Sequence, residues 1–259
     1  MATLFIHDIA VEVEGDGAPV LCIHGLGGSS NTWTPILPAL AGRKVIRLDL
    51  PGSGRSKLPA QALTIEAYVL AVRQVLKALK IESVDILAHS MGTIVAQHFA
   101  VAYSDSVTSL VLFGPLVAPP EPARPAIRAR AELARQGAEK VQEIADAIVA
   151  GATSKETKAS NPMALTLVRE SVMRQPPEGY AQSCEALASA QSAPIEEIAV
   201  PTLLVTGDQD GVAPAANVNA MAQRIRGSKV LVLEGCGHWT TFEKTDACIK
   251  AIKEALSNN

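Results

Sequence analysis

Short apolar runs that end in glycine- or aspartate-rich turns alternate along this chain with longer stretches in which apolar residues return about once per helical turn. The first run, Leu4, Ile6, Ile9, Val11 and Val13, reads as one strand over residues 4–13, closed by the turn Glu14-Gly15-Asp16-Gly17. Val20–Ile23, Val45–Leu48, Ser83–His89, Val107–Phe113, Val200–Thr206 and Lys229–Leu233 follow as further strands. Between them the spacing predicts a short helix over Trp33–Leu40 and a longer one over 64–80, whose Ile65, Val69, Val72, Leu76 and Leu79 share a face. Helices are also expected over 91–103 and 214–226, and a last one over 241–256 packs through Phe242, Ile249, Ile252 and Leu256. Strands alternating with helices build a mostly parallel sheet covered on both faces, an α/β architecture whose ligands gather at the carboxyl ends of the strands.

The alternation stops at Gly114-Pro115, and about 80 residues pass before the next strand. A gap that long in a compact domain must carry structure of its own. Arg124–Gln136, Ala138–Ala150, Pro162–Arg174 and Glu178–Ala190 have helical composition, with Asn161-Pro162 and Pro177-Glu178 as helix starts. An insertion of four helices is therefore expected over 115–195, between two parts of one core, 1–114 and 196–259.

Composition narrows the classes of function. Of 259 residues, 48% are hydrophobic and 19% charged, enough to bury a sizeable core, and a net charge of −3 gives no pull toward nucleic acid or an anionic membrane. Small soluble partners are favoured. The stretch Met1–Asp8 lacks a basic segment followed by an apolar one, and no uncharged apolar run reaches membrane-spanning length, so a cytoplasmic protein is expected. The four cysteines, 22, 184, 236 and 248, are scattered without CxxC spacing, and no metal site or disulfide framework is expected.

The chemistry centres on Ser90. Ile86-Leu87-Ala88 is a buried strand, His89-Ser90-Met91 follows it, and a helix begins at once. A corner that tight strains the backbone at the serine and requires small residues on either side, here Ala88 and Gly92, while pushing Ser90 Oγ out above the sheet edge. Ser53 is also flanked by glycines, but no strand-helix junction frames it and it reads as a turn residue. His24-Gly25-Leu26-Gly27-Gly28 ends the second strand; its glycines let backbone amides approach a ligand, yet it lacks the Lys-Ser/Thr of a P-loop and the spacing of a dinucleotide fingerprint. Gly207-Asp208-Gln209-Asp210-Gly211 and Gly235-Cys236-Gly237-His238-Trp239 close two later strands, so a serine, an acid (Asp208 or Asp210) and a histidine all follow strands at one end of the sheet.

Other histidines read structurally: His24 braces its loop, His89 turns away from the serine it precedes, His98 lies on a helix and His7 on an outer strand. Trp33 and Trp239 adjoin two of these loops and are candidates for the substrate pocket as well as for the core. In the first inserted helix, Arg124, Arg128, Arg130 and Arg135 face a single acid, Glu132: a solvated surface, or a means of reaching an anionic substrate.

In the order serine, acid, histidine, and in the loops quoted, the chain resembles the α/β-hydrolase family over essentially its whole length. The resemblance implies an α/β-hydrolase fold with the four-helix insertion as a cap, and hydrolysis without a cofactor. Ser90 would be the nucleophile, His238 the general base and Asp210, the later acid, its orienting partner. The amides of Met91, fixed by the strand-helix corner, and of Leu26 would form the oxyanion hole. Within the family the segment Glu178–Leu187 resembles the cap of 3-oxoadipate enol-lactonases and related lactonases and esterases, although His24-Gly25 and Leu50-Pro51 differ from that group. The expected substrate is a small to medium carboxylic ester or lactone. A cofactor-free haloperoxidase, a C–C bond hydrolase with the same triad, and a non-catalytic small-ligand receptor are the alternatives, whereas dehalogenation would need Asp in place of Ser90.

Overall fold

The computed structural model describes residues 2–257; residues 1, 258 and 259 of the expected core lie outside the described residues. Among the described residues eight strands form one sheet: β1 (Ala2–Ile6), β2 (Ile9–Glu14), β3 (Pro19–Ile23), β4 (Lys44–Leu48), β5 (Val84–His89), β6 (Val107–Phe113), β7 (Thr202–Gly207) and β8 (Lys229–Leu233). Their spatial order is β1-β2-β4-β3-β5-β6-β7-β8. β1 pairs antiparallel with β2 and β2 with β4; all later neighbours are parallel. β5 is buried at every position, as a central strand covered on both faces must be.

The single strand expected over 4–13 is a hairpin. His7 and Asp8 adopt φ of 49° and 64°, a two-residue turn of the left-handed kind that fits strand twist, and the apolar positions shift phase across it, from 4 and 6 to 9, 11 and 13, so that Ile6 pairs with Ile9. His7 lies in that turn and not on a strand.

Helices α1 (Ile65–Ala78), α2 (Met91–Ala102) and, after the insertion, α8 (Ala215–Arg224) share one apolar core with the sheet. A second core, on Val20, Cys22, Leu87, Val111, Phe113 and Val205, is covered by the 3-10 helix Ser30–Leu40 and by α10 (Thr245–Ser257). Pro35 and Pro38 lack amide protons and prevent a regular α-helical ladder there. The expected final helix is broken at Lys244, where α9 (Thr240–Glu243) ends.

Five α-helices, not four, fill the insertion: α3 (Arg124–Ala134), α4 (Ala138–Ala152), α5 (Lys155–Ser160), α6 (Pro162–Met173) and α7 (Pro177–Ser189). The unexpected one, α5, is too short to display a hydrophobic period; Ser154 starts it by accepting the Thr157 amide at 3.0 Å. α3 packs on α7 and α4 on α6, around Ala131, Val141, Ile144, Val168, Val172 and Tyr180. Among the described residues no helix is long and apolar enough to cross a membrane.

Candidate active site

Ser90 stands between β5 and α2 with φ 52° and ψ −123°, a conformation that non-glycine residues avoid and the surroundings must enforce. Its amide donates to Phe113 O at 2.9 Å, and Thr93 N and Oγ1 donate to its carbonyl at 2.8 and 2.6 Å. Crowding explains the small neighbours. A Cβ at Gly92 would come within 2.5 Å of the Ile23 and His24 carbonyl oxygens, and one at Gly25 within 2.7 Å of Ser90 Cβ.

Asp210, after β7, and His238, after β8, converge on this serine. His238 Nε2 lies 2.8 Å from Ser90 Oγ and Nδ1 lies 2.8 Å from Asp210 Oδ2. An ionised carboxylate only accepts, so Nδ1 carries the proton and Nε2 is left to accept from the serine hydroxyl. The other oxygen, Oδ1, accepts the Val212 and Ala213 amides at 2.8 Å each. Burial opposes the charge on Asp210, but His238 and these two amides outweigh it and draw the carboxyl down to about 2. Asp208 does different work: its Oδ1 accepts the Cys236 amide at 3.0 Å and holds one loop to the next.

The loop after β3 is braced by His24, whose Nδ1 donates to Gly25 O at 2.8 Å and whose Nε2 accepts the Leu50 amide at 2.8 Å. Burial keeps this imidazole neutral. Met91 opens α2, so its amide has no acceptor within the helix, and no backbone carbonyl of the described loops and turns takes the Leu26 amide. Both amides belong to segments adjoining Ser90.

Two contacts around His238 escaped the sequence reading. His89 does not turn away: its ring packs 5.0 Å from that of His238 and 5.2 Å from that of Trp239, and Nε2 donates to His238 O at 2.9 Å. Burial, then the charge of His238, pull its pKa down to about 3. Glu243 is the second. It is buried, with Oε2 accepting from Gly237 N (3.0 Å), Ser154 N (2.8 Å) and Thr157 Oγ1 (2.9 Å), and Oε1 accepting from Trp239 N (3.1 Å). His238 N itself donates to Ala152 O at 2.9 Å. The histidine loop is thereby tied to the α4–α5 junction, and the only trace in the sequence is a glutamate one helical turn after Trp239.

A cavity of about 660 Å³ opens over this cluster, lined at its base by Ser90, His238, Leu26 and Trp239 and above by α3, α4 and Tyr180. Trp33, expected as a pocket candidate, is not there: it is fully buried in the second core, edge-on to Phe113 with ring centroids 6.1 Å apart. Of the four arginines, Arg124 donates to Ala188 O and Ala190 O, and Arg135 pairs with Glu132, Glu178 and Glu185. Arg128 is exposed, and Arg130 alone lines the cavity. Trp239 Nε1 is buried in its wall without a hydrogen-bond partner among the described residues, and Tyr180 Oη is buried there beside Arg130 and Cys184. Nor, among those residues, is any group of three or more His, Cys, Asp and Glu gathered as a metal would require.

The sequence profile of the alpha/beta hydrolase fold family matches residues 18–245. A thermophilic esterase from Thermogutta terrifontis, solved with malate bound, superposes with a TM-score of 0.91 at 28% identity, over 96% of this chain and 93% of that one. The enol-lactonase from Burkholderia xenovorans LB400 gives 0.90 at 25% identity, over 99% and 100%. An uncharacterized protein of Mycobacterium tuberculosis is 39% identical over 104 residues, 40% of this chain and only 30% of that relative's length.

Proposed function

The chain belongs to the alpha/beta hydrolase fold family, and from that premise we propose that it hydrolyses carboxylic esters or lactones through an acyl-enzyme on Ser90. The observation that carries this reading is the unbroken hydrogen-bond line from Asp210 through His238 to Ser90, 2.8 Å at each step, at the floor of a largely apolar cavity. Likeness to an esterase and an enol-lactonase, each at low identity over nearly the whole chain, supports the same class.

A serine hydroxyl is too weak an acid to ionise near neutrality, so attack on the carbonyl carbon requires that His238 Nε2 take the Oγ proton as the C–O bond forms. Asp210 holds the imidazole in the tautomer that can do this and stabilises the imidazolium. The oxygen that becomes negative is received by the Met91 and Leu26 amides. Collapse expels the alkoxide, protonated by His238; in a lactone it stays tethered to the acyl group. Water, deprotonated by the same histidine, then attacks the acyl-enzyme and releases the carboxylate. The helical insertion acts as a cap that selects the acyl portion, with Trp239 and Tyr180 offering hydrogen bonds from its walls.

The test is a hydrolysis screen of the purified protein across p-nitrophenyl esters and five- and six-membered lactones, with and without peroxide. Turnover of esters or lactones in plain buffer supports the reading. Turnover that appears only with peroxide, or no turnover of any member of the panel, overturns it.

A further inference from the structure

The cavity is longer than a small ester or a lactone ring requires, and its shape has a definite cause. α3 lies along α7 and α4 along α6, while α3 and α4 meet only sparingly; the cavity is the groove left between the two pairs. Side-chain size keeps it open. α3 presents Ala126 and Ala129 to it, with Ala123 just before the helix, and α4 presents Ala147, Gly151 and Ala152. At Gly151 a Cβ would meet no atom within 4 Å, so no other element occupies that space.

One end of the groove is fixed by a contact. His238 N donates to Ala152 O at 2.9 Å, which puts the C-terminal end of α4 beside the base. From there the lining runs back along α4 through Gly151, Ile148 and Ala147 to Ile144, about 12 Å along the helix axis. Ile127 and Leu133 of α3 form the opposite wall. The lone carboxylate in the lining, Glu143, is at the outer end and is paired with Lys140 at 2.7 Å.

We propose that this groove is an acyl-chain slot: resting on the esterase reading above, the substrate is a carboxylic ester whose acyl part is an unbranched aliphatic chain of medium length. The chain runs from Ser90 along α4, and Gly151 and then Ala147 set the length that is admitted. An acetyl group would leave both walls wet, whereas each methylene taken from water into such a slot is worth up to about fourfold in kcat/KM.

The experiment uses the full-length protein and the p-nitrophenyl esters from acetate through butyrate, hexanoate and octanoate to decanoate. In the wild type kcat/KM rises from acetate to octanoate. Gly151→Leu closes the slot next to the base and cuts the series after butyrate; Ala147→Phe, one helical turn further out, admits hexanoate and cuts at octanoate. Each lowers the octanoate-to-acetate ratio by about tenfold or more. Leu is a better helix former than Gly, so Gly151→Leu retains the fold, which thermal melting checks. A flat or falling series in the wild type, ratios unchanged in both variants, or the two variants cutting in reverse order overturns the slot. If esters are then still hydrolysed and Ser90→Ala abolishes the hydrolysis, the esterase reading stands without the slot; if the wild type hydrolyses none of them, the slot and the esterase half of the proposed function fall, and the lactones of the screen above decide the other half.

Discussion

Asp208 and Asp210 are near neighbours in one loop, and their contacts separate them: Asp210 meets His238, whereas Asp208 braces the Cys236 amide. Asp210→Asn, which leaves an amide facing Nδ1 and favours the wrong tautomer, is expected to lower kcat by about 10⁴ with an intact fold. Asp208→Asn keeps one acceptor for Cys236 and is expected to cost far less; steady-state kinetics that reverse this order contradict the assignment. Arg130 makes a second residue-scale prediction, because it is the only arginine of its helix that lines the cavity. Arg130→Met should raise KM roughly fivefold for acyl chains ending in a carboxylate and leave neutral chains alone. Equal treatment of the two would leave Arg130 a wall residue only. That Ser90, Asp210 and His238 come together could be anticipated from sequence because each follows a strand at the same sheet end, a constraint that survives long separation along the chain. Sequence leaves Trp33 open between pocket and core because adjacency to a loop says nothing about the face of the sheet on which a side chain lands: the 3-10 helix turns it to the second core. His89 was misplaced for a related reason, since strand alternation gives the side of the sheet and not which ring lies there.

Between elements, the decisive contact is Glu243, which joins the histidine loop to the start of α5 through four hydrogen bonds. All four ask it to accept. In Glu243→Gln one oxygen becomes an NH₂ group facing at least one N–H, so the bond is lost and two donors are opposed. The expected result is a loss of about 2 kcal/mol in stability, measured by urea unfolding. With it comes a fall in kcat of roughly ten- to a hundredfold, at nearly constant KM, as His238 loses its placement. A variant that unfolds earlier but keeps wild-type kcat while folded would restrict Glu243 to stability. Neither α5 nor this contact was legible in the sequence. A helix of six residues carries no period, and a carboxylate that binds backbone amides leaves no complementary charge to notice. α1 was legible because it repeats its helical period over 14 residues, and β5 because a strand buried on both faces shows as a short apolar run, Ile86-Leu87-Ala88. The hairpin β1–β2 reads as one strand because its turn, His7-Asp8, holds none of the Gly or Asn that mark such turns, although the apolar positions shift phase there from 4 and 6 to 9, 11 and 13.

For the molecule as a whole, the order of alternating strands and helices was enough to anticipate a mostly parallel sheet, while the order in space, with β4 outside β3, required the structure. The packing of His89 against His238 and Trp239 also reaches the whole molecule, through acid stability. His89 is fully buried, Nε2 is spent on the His238 carbonyl, and Nδ1 has no partner among the described residues, so folding holds its pKa near about 3 against 6.5 in an open chain. Between those values the unfolded chain binds the proton and the folded one does not, so stability falls as pH drops from 6.5 toward 3. Melting temperatures of His89→Gln should decline less over that window than those of the wild type; parallel declines would remove His89 from the account. The central claim is tested most directly by the mass of the intact protein, acid-quenched during turnover of p-nitrophenyl butyrate. The account predicts a fraction heavier by one butyryl group, located by proteolysis to the peptide carrying Ser90 and absent from Ser90→Ala, which turns over no ester. Turnover that persists in folded Ser90→Ala, or an acyl group found on another residue, would contradict it.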